Sequence, residues 1–155
     1  MVIEALLIIL PGLLGNVASW LSGKLKVFEC PLDFNIKING KRLLGKNKTF
    51  RGLFASTAAS AMINSLLGGS FYIGCLMGFS TSIGDAIKSL FKRRLNIKDG
   101  KDWYPFDLMD VPIGYSLFVF PILNVNFNII ILSYIFAILI TFVAHFTWKY
   151  LNFKK

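Results

Sequence analysis

Three long stretches without a charged side chain constrain the fold of this chain more than any other feature. They cover residues 5–23, 52–84 and 111–148, and nearly all of the charge lies in 24–51 and 85–110. One helical crossing of a bilayer takes about 20 apolar residues. The first stretch is therefore long enough for one span and each of the others for a hairpin of two. We predict an all-α integral membrane protein, a bundle of about five transmembrane helices in a single domain.

The overall composition agrees with a membrane location. With 55% hydrophobic and 16% charged residues and a mean hydropathy of +0.61, the chain has too little polar surface to cover a water-soluble globule. An ordinary soluble domain is therefore excluded. The two cysteines, Cys30 and Cys75, lack the spacing of a metal site and are predicted to be free thiols.

Lys and Arg residues orient the predicted bundle. The spans are about 2–21, 52–67, 71–88, 111–123 and 127–150, with polar loops at about 24–51 and 89–110. In this arrangement all 17 Lys and Arg residues fall on the side of the two loops and the carboxyl terminus. Cytoplasmic segments carry the excess of basic residues. We therefore expect a multi-pass protein of the cell membrane, with cytoplasmic loops and carboxyl terminus and an external amino terminus.

The first loop combines a hairpin signal with a basic, glycine-flanked segment. Asn39-Gly40 is typical of a two-residue hairpin turn. Gly45–Gly52 resembles a phosphate-binding P-loop only superficially, because the first glycine of that motif is missing and no strand precedes it. Glycines still let backbone N–H groups approach an anion. The candidate phosphate-binding residues here are Lys46, Lys48, Thr49 and Arg51. The alternative is a polybasic loop that contacts anionic lipid headgroups.

The second polar segment carries the candidate chemistry. Asp85, Ser89 and Lys92 stand at i, i+4 and i+7 and so share one face of a helix. Asp107 and Asp110 would also share a face if that segment were helical. Carboxylates beside cations can hold a divalent metal and neutralise charge on phosphate oxygens. This pattern indicates phosphoryl or nucleotidyl transfer at a membrane surface.

Each of these features has a simpler explanation that stays open. Asp110, two residues before Pro112, is typical of a helix N-cap. Lys92–Arg94 can be explained as a cytoplasmic orientation signal. Asp85 is harder to explain in this way, because a carboxylate at the end of an apolar span is costly unless it is paired or functional.

The first predicted span contains Pro11 and Asn16. Backbone groups freed by a proline in lipid must be satisfied by neighbouring helices. Both residues are therefore expected to face the bundle, where they either form a packed kink or line a substrate cavity.

Several motifs, in order along nearly the whole chain, resemble the CDP-archaeol synthase family. They are Pro31-Leu32-Asp33, Gly40-Lys41-Arg42, Leu44–Gly52, Gly84-Asp85 with Ser89, Lys92-Arg93-Arg94 and Asp107-x-x-Asp110. The second half also resembles phosphatidate cytidylyltransferases, through Ser89 to Arg93, Lys98-Asp99 and Asp107 to Asp110. The P-G-H-G-G segment of the bacterial signature is replaced by Trp103-Tyr104-Pro105-Phe106, which favours the archaeal family.

The resemblance implies cytidylyl transfer from CTP to 2,3-bis-O-geranylgeranylglycerol 1-phosphate, with unsaturated CDP-archaeol and pyrophosphate as products of a step in phospholipid biosynthesis. It implies Mg2+ as cofactor, bound by Asp85 and Asp110, with Asp107 as a ligand or a support. It also implies phosphate contacts from Ser89, Lys92, Arg93 and Arg94, with Lys46, Lys48 and Arg51 closing over the triphosphate. Asp85, Asp107, Asp110 and Lys92 are the expected catalytic residues. The expected partners are CTP, the isoprenoid lipid and membrane lipids, without nucleic acid; a homodimer is compatible with the sequence.

Two alternatives remain. One is a phosphatidate cytidylyltransferase that acts on a diacyl lipid. The other is a non-enzymatic polybasic transporter or lipid-binding protein, which would need none of the three aspartates. A CDP-alcohol phosphotransferase is disfavoured because its D-G-x-x-A-R motif is missing.

Overall fold

The predicted helical bundle is confirmed by a computed structural model, which describes residues 1–25, 27–38, 40–45, 47–97, 101 and 103–153. The five helices are α1 Val2–Ser22, α2 Phe50–Leu66, α3 Phe71–Arg94, α4 Asp110–Leu123 and α5 Phe127–Phe153. A short 3-10 helix, Phe106–Leu108, precedes α4, and strands β1 (Lys37–Ile38) and β2 (Lys41–Arg42) pair antiparallel in the first loop. The pairing agrees with the predicted hairpin. Asn39 of the predicted turn, Lys46 and Lys98-Asp99, all named above, lie outside the described residues.

Helix α3 extends past the predicted membrane span of about 71–88, as far as Arg94. This agrees with the prediction that Asp85, Ser89 and Lys92 share one helix. Basic side chains in a last turn interact favourably with the carboxyl end of the helix. The helix then ends in a Schellman motif: Asn96 has a φ of 60°, and the Ile97 N–H donates to the Lys92 carbonyl at 3.0 Å. Ser89 and the basic run therefore lie on a helix.

The outer surface of the bundle is apolar. α1 and the Phe127–Thr147 part of α5 are long and apolar enough to cross a membrane. Large apolar side chains on other helices also face outward, including Phe54 at 64% and Leu117 at 52% exposure. Soluble monomers rarely expose such continuous apolar surface. The described helices therefore present the surface of a membrane protein.

Close packing of α3 against α4 depends on two glycines. A Cβ atom on Gly84 would overlap the carbonyl oxygen of Asp110, and one on Gly114 would overlap the carbonyl oxygen of Ser80. Small residues at such contacts let membrane helices approach closely. As a result, the first residue of α4 lies against α3 beside Asp85.

Helix α1 approaches its neighbours in the same way. A Cβ atom on Gly12 would lie 2.5 Å from the hydroxyl oxygen of Tyr115, whose buried ring belongs to α4. The Tyr115 hydroxyl donates to the Ile8 carbonyl at 3.2 Å, and the Ser60 hydroxyl donates to the carbonyl of Pro11 at 2.8 Å. The expectation that Pro11 faces the bundle is confirmed. The apolar centre of the bundle is formed by Ile9, Leu13, Met77, Val111, Tyr115, Val119, Phe120 and Ala137.

The first loop is a compact unit closed at its base. The Leu32 N–H donates to the Lys48 carbonyl at 2.8 Å, and residues 30–32 thus run beside 48–50.

Buried Asp33 holds the loop together above this base. Its carboxylate accepts hydrogen bonds from Arg42 at 2.8 Å, Leu44 N–H at 3.0 Å and Asn35 N–H at 3.1 Å. Burial raises the pKa of Asp33, but the Arg42 guanidinium and the two N–H groups together lower it by more than burial raises it. Its pKa therefore lies below the ordinary value.

Candidate active site

The three predicted carboxylates meet around one ammonium group, that of Lys88. The Lys88 Nζ atom lies 3.3 Å from Asp85 Oδ1, 3.3 Å from Asp110 Oδ2 and 4.0 Å from Asp107 Oδ1. Its side chain is only 12% exposed. Lys88 is one of the cations beside these carboxylates in the sequence but is not among the predicted site residues, although its position three residues after Asp85 places it on the same helix face. That spacing was the signal that could have found it.

Two further lysines complete the charges. Lys48 from the first loop pairs with Asp85 Oδ2, and Lys92 from α3 lies 2.7 Å from Asp107 Oδ1. Three ammonium groups thus face three carboxylates among the described residues. We call this set the carboxylate–lysine cluster: Asp85, Asp107, Asp110, Lys48, Lys88 and Lys92. Its members come from the first loop, α3, the 3-10 helix and α4, so the cluster forms only in the folded bundle.

Asp107 is fully engaged by its surroundings. Its Oδ2 atom accepts from the Trp103 N–H at 2.6 Å and from Lys92 at 2.9 Å, and Lys92 also contacts its Oδ1. Asp107 lies in the 3-10 helix and so does not share a helix with Asp110. Its contacts suit a residue that fixes the position of Lys92.

Asp110 differs from Asp107 in having a free oxygen. Its Oδ2 atom accepts from Lys88 at 3.3 Å and from Asn16 at 3.2 Å, whereas its Oδ1 atom is buried without a partner in the part of the chain that the structure describes. The N-cap alternative is not supported. α4 begins at Asp110 itself, the cap position is Met109, and no side chain of the described residues caps the helix.

Two predicted phosphate-binding hydroxyl groups make contacts that position the first loop. Buried Ser89 accepts a hydrogen bond from the Gly45 N–H at 3.1 Å, which ties the loop to α3. Thr49 is the N-cap of α2 and accepts from the Gly52 N–H at 3.3 Å. These contacts hold the loop over the cluster.

The arginines lie around the same end of the bundle. Arg51 donates to the carbonyl oxygens of Leu25 and Val27, at 2.6 and 2.7 Å. Arg93 is half-buried in the last turn of α3, and Arg94 donates to a backbone carbonyl of β1 at 3.3 Å. Among the contacts of the described residues, the cations that meet the carboxylates of the cluster are lysines, whereas Arg51 and Arg94 bind backbone carbonyls.

The donor atoms of the cluster suit a divalent cation of the Mg2+ type. Mg2+ takes oxygen ligands, commonly one or two carboxylates together with substrate phosphates. The unpartnered, buried Oδ1 atom of Asp110 is such a donor, since a desolvated carboxylate oxygen without a partner is costly. No set of three or more acidic, His or Cys side chains forms a complete metal site among the residues described. Ammonium groups lie between the carboxylates instead.

Comparison of the fold identifies a solved structure described as that of an intramembrane enzyme for archaeal membrane lipids biosynthesis. The two align with a TM-score of 0.80 over 94% of this chain and 95% of that chain, at 24% sequence identity. The two proteins share a fold.

Sequence comparisons agree. A CDP-archaeol synthase from Sulfolobus acidocaldarius is 28% identical over 130 residues, or 80% of this chain and 78% of that protein. Another from Methanopyrus kandleri is 31% identical over 123 residues, or 74% and 68%. The family described as CarS-like CDP-archaeol synthase matches residues 1–155. The chain therefore belongs to the CDP-archaeol synthase family.

Proposed function

We propose that this protein transfers the cytidylyl group of CTP to 2,3-bis-O-geranylgeranylglycerol 1-phosphate, releasing pyrophosphate and leaving unsaturated CDP-archaeol in the membrane. Family membership supports the reaction class. The single observation that carries the site is the carboxylate–lysine cluster, with Lys88 within 4.0 Å of all three aspartates. It provides charges of both signs beside a folded loop.

The reaction places few chemical demands on the side chains. An oxygen of the lipid phosphate forms a bond to the α-phosphorus of CTP. The bond from that phosphorus to the bridging oxygen breaks, and its electron pair leaves with pyrophosphate. The attacking oxygen is already anionic, so no proton has to be removed from it. Positioning of the two phosphates and neutralisation of their charge therefore supply most of the catalysis.

The lysines of the cluster are suited to different tasks. Lys48 and Lys92 each contact one carboxylate among the described residues, whereas Lys88 contacts three. Lys48 and Lys92 can exchange that partner for a phosphate oxygen, and Lys88 stays to keep the carboxylates together. We assign Lys48 and Lys92 to phosphate binding. Further contacts would come from Ser89, Arg93 and Arg94 of α3, and from Lys46, Thr49 and Arg51 of the first loop.

Asp85 and Asp110 would hold Mg2+, and Asp107 would position Lys92. The bound cation would neutralise the negative charge that develops on the phosphate oxygens during transfer. The free Oδ1 atom of Asp110 supports this assignment.

The proposed arrangement in the membrane is compatible with the position of the cluster. We propose five spans, cytoplasmic polar loops and carboxyl terminus, and an external amino terminus. The cluster lies where α3 ends and α4 begins, at the end of the bundle that the basic first loop covers. A site at this level can receive CTP from water while the isoprenoid chains remain in lipid.

The test uses the purified protein in detergent with CTP labelled at the α-phosphorus, Mg2+ and the ether-lipid phosphate. We expect labelled CDP-lipid on thin-layer chromatography, and loss of product on adding EDTA. A parallel reaction contains a diacyl phosphatidic acid. A preference for that lipid would support the phosphatidate cytidylyltransferase alternative. A folded sample that forms no product from either lipid would contradict the enzymatic function and favour a transporter or lipid-binding protein.

A further inference from the structure

Helix α1 contributes one polar side chain to the edge of the cluster. The Asn16 Nδ2 atom donates to Asp110 Oδ2 at 3.2 Å, and Lys88 Nζ contacts the same oxygen at 3.3 Å. Two donors therefore share Oδ2. Within the described ranges, the other oxygen of this carboxylate is buried and has none.

The position of Asn16 is built by helix packing. Gly12 lies one turn earlier on the same face of α1, and the absence of its Cβ lets α1 approach Tyr115 of α4. Asp110 begins α4 a little more than one turn before Tyr115. The contact between α1 and α4 at Gly12 therefore sets the distance between Asn16 and Asp110.

We propose that Asn16 is a positioning residue for Asp110. Its amide and Lys88 together hold Oδ2, so that the carboxylate keeps one orientation and Oδ1 remains the acceptor for the divalent cation. This inference rests on the proposed function, in which Asp110 is a metal ligand. A neutral amide suits the task because it fixes the carboxylate without cancelling its charge. Loss of such a partner typically weakens metal binding or activity about 10–100-fold.

The competing explanation is that Asn16 merely stabilises helix packing, since amides in membrane helices often hydrogen-bond across an interface. Asn64 provides a matched control for this explanation. It is a buried helical asparagine whose Nδ2 atom donates to the Ser70 carbonyl at 2.7 Å. It lies near the carboxyl end of α2, about 20 Å along the helix from the residue where α2 follows the first loop. Its loss should affect stability alone.

The experiment measures Mn2+ binding in the presence of CTP by electron paramagnetic resonance, on the purified protein in detergent. We expect Asn16→Leu to weaken Mn2+ binding about 10–100-fold and Asn16→Gln, which keeps the amide, to lie closer to wild type. Thermal unfolding is measured on the same samples. We expect Asn64→Leu to lower the Tm about as much as Asn16→Leu while it binds Mn2+ like the wild type.

Asp110→Asn distinguishes the positioning role of Asn16 from the assignment of Asp110 as a metal ligand. If Asp110→Asn loses Mn2+ and Asn16→Leu retains wild-type affinity, the positioning role is overturned and the metal assignment stands. If the wild type itself binds no Mn2+ with CTP, the metal assignment fails and the inference fails with it. Asn16→Ala and Asn16→Gln provide the same comparison if Asn16→Leu does not fold.

Discussion

The two ends of the helical bundle are both closed by polar groups, but the groups differ in kind. At the turn between α2 and α3, Asn64 bonds to Ser70, six residues away, and its carbonyl accepts from the Gly69 N–H at 2.8 Å. At the other end, bonds join residues far apart in the chain. Lys48 and Asp85 are separated by 37 residues, and Asn16 and Asp110 by 94.

This difference shows where the whole fold is needed. The turn is built from neighbours in sequence and can form as soon as α2 and α3 meet. The carboxylate–lysine cluster requires the first loop, α3, the 3-10 helix and α4 together, and Asn16 of α1 bonds to its edge. A substitution at the turn end should therefore change stability alone, whereas one at the charged end should change stability and function together.

The strongest test of this contrast is Lys88→Met. The change leaves three aspartates with one fewer cation at a site where Lys88 is 12% exposed. Removing one partner from a buried ion network costs about 3–5 kcal/mol. We expect a large fall in the Tm in detergent and no CDP-lipid product. A variant with wild-type Tm would mean that the carboxylates do not depend on Lys88.

Asp85→Asn should reduce both function and stability at the same end. The side chain keeps its size but loses the charge that pairs with Lys48 and Lys88. We expect turnover at ordinary Mg2+ to fall more than about 100-fold, beyond the loss typical of a residue outside the metal shell. Product formation is measured beside the Tm. Near-normal turnover would show that Asp85 has a structural role only.

Two glycines on α3 allow a direct comparison of the ends. A Cβ atom on Gly84 would overlap the Asp110 carbonyl, and one on Gly74, near the turn, would lie 2.6 Å from the Cα atom of Ala61. We expect Gly84→Ala and Gly74→Ala each to destabilise the fold by about 3 kcal/mol, because neither backbone neighbour can move cheaply. Only Gly84→Ala should also reduce the rate of CDP-lipid formation. Equal rates in the two variants would contradict the contrast.

The smallest effect is expected from acid acting on Asp33. Since its pKa is lowered in the fold, its contribution is fully present above the ordinary value of about 3.9 and is lost as the pH falls through the lower, folded value. Limited proteolysis with an acid-stable protease should show the first loop opening below about pH 4. Asp33→Asn should lower the free energy of opening the first loop by about 1.5 kcal/mol at neutral pH, with little change in the Tm of the bundle. Cleavage of the variant that still rises with acid would assign the effect to another group.

The sequence predicted the helical bundle and the three carboxylates that meet in the cluster, because charge-free stretches and closely spaced acidic and basic residues are local signals. It could not choose between neighbours on one helix face. Ser89 at i+4 and Lys88 at i+3 from Asp85 satisfy the same periodicity, and the packing of Gly84 on Asp110 determines which one meets α4. Ser89 faces the first loop instead.

Contacts between segments far apart in the chain could not be predicted from the sequence pattern either. Asn16 was compatible with either a packed kink or a cavity lining, since nothing near it in sequence indicates Asp110. The N-cap alternative for Asp110 could not be decided from the sequence for a related reason. N-cap statistics describe isolated helix ends, whereas here Lys88 and Asn16 bind the side chain.

The closed base of the first loop has a practical consequence for its far end. The hairpin of β1 and β2 extends beyond the pairing of residues 30–32 with 48–50, and Arg42 of β2 connects it to Asp33. At its tip, Gly40 has a φ of 75°, and a Cβ atom there would meet nothing within 4 Å among the residues described. An epitope or fluorophore-binding sequence grafted at this tip would leave Lys48 in place. The hairpin tip is thus a suitable grafting site for an epitope that antibody fragments bind during imaging of this small enzyme.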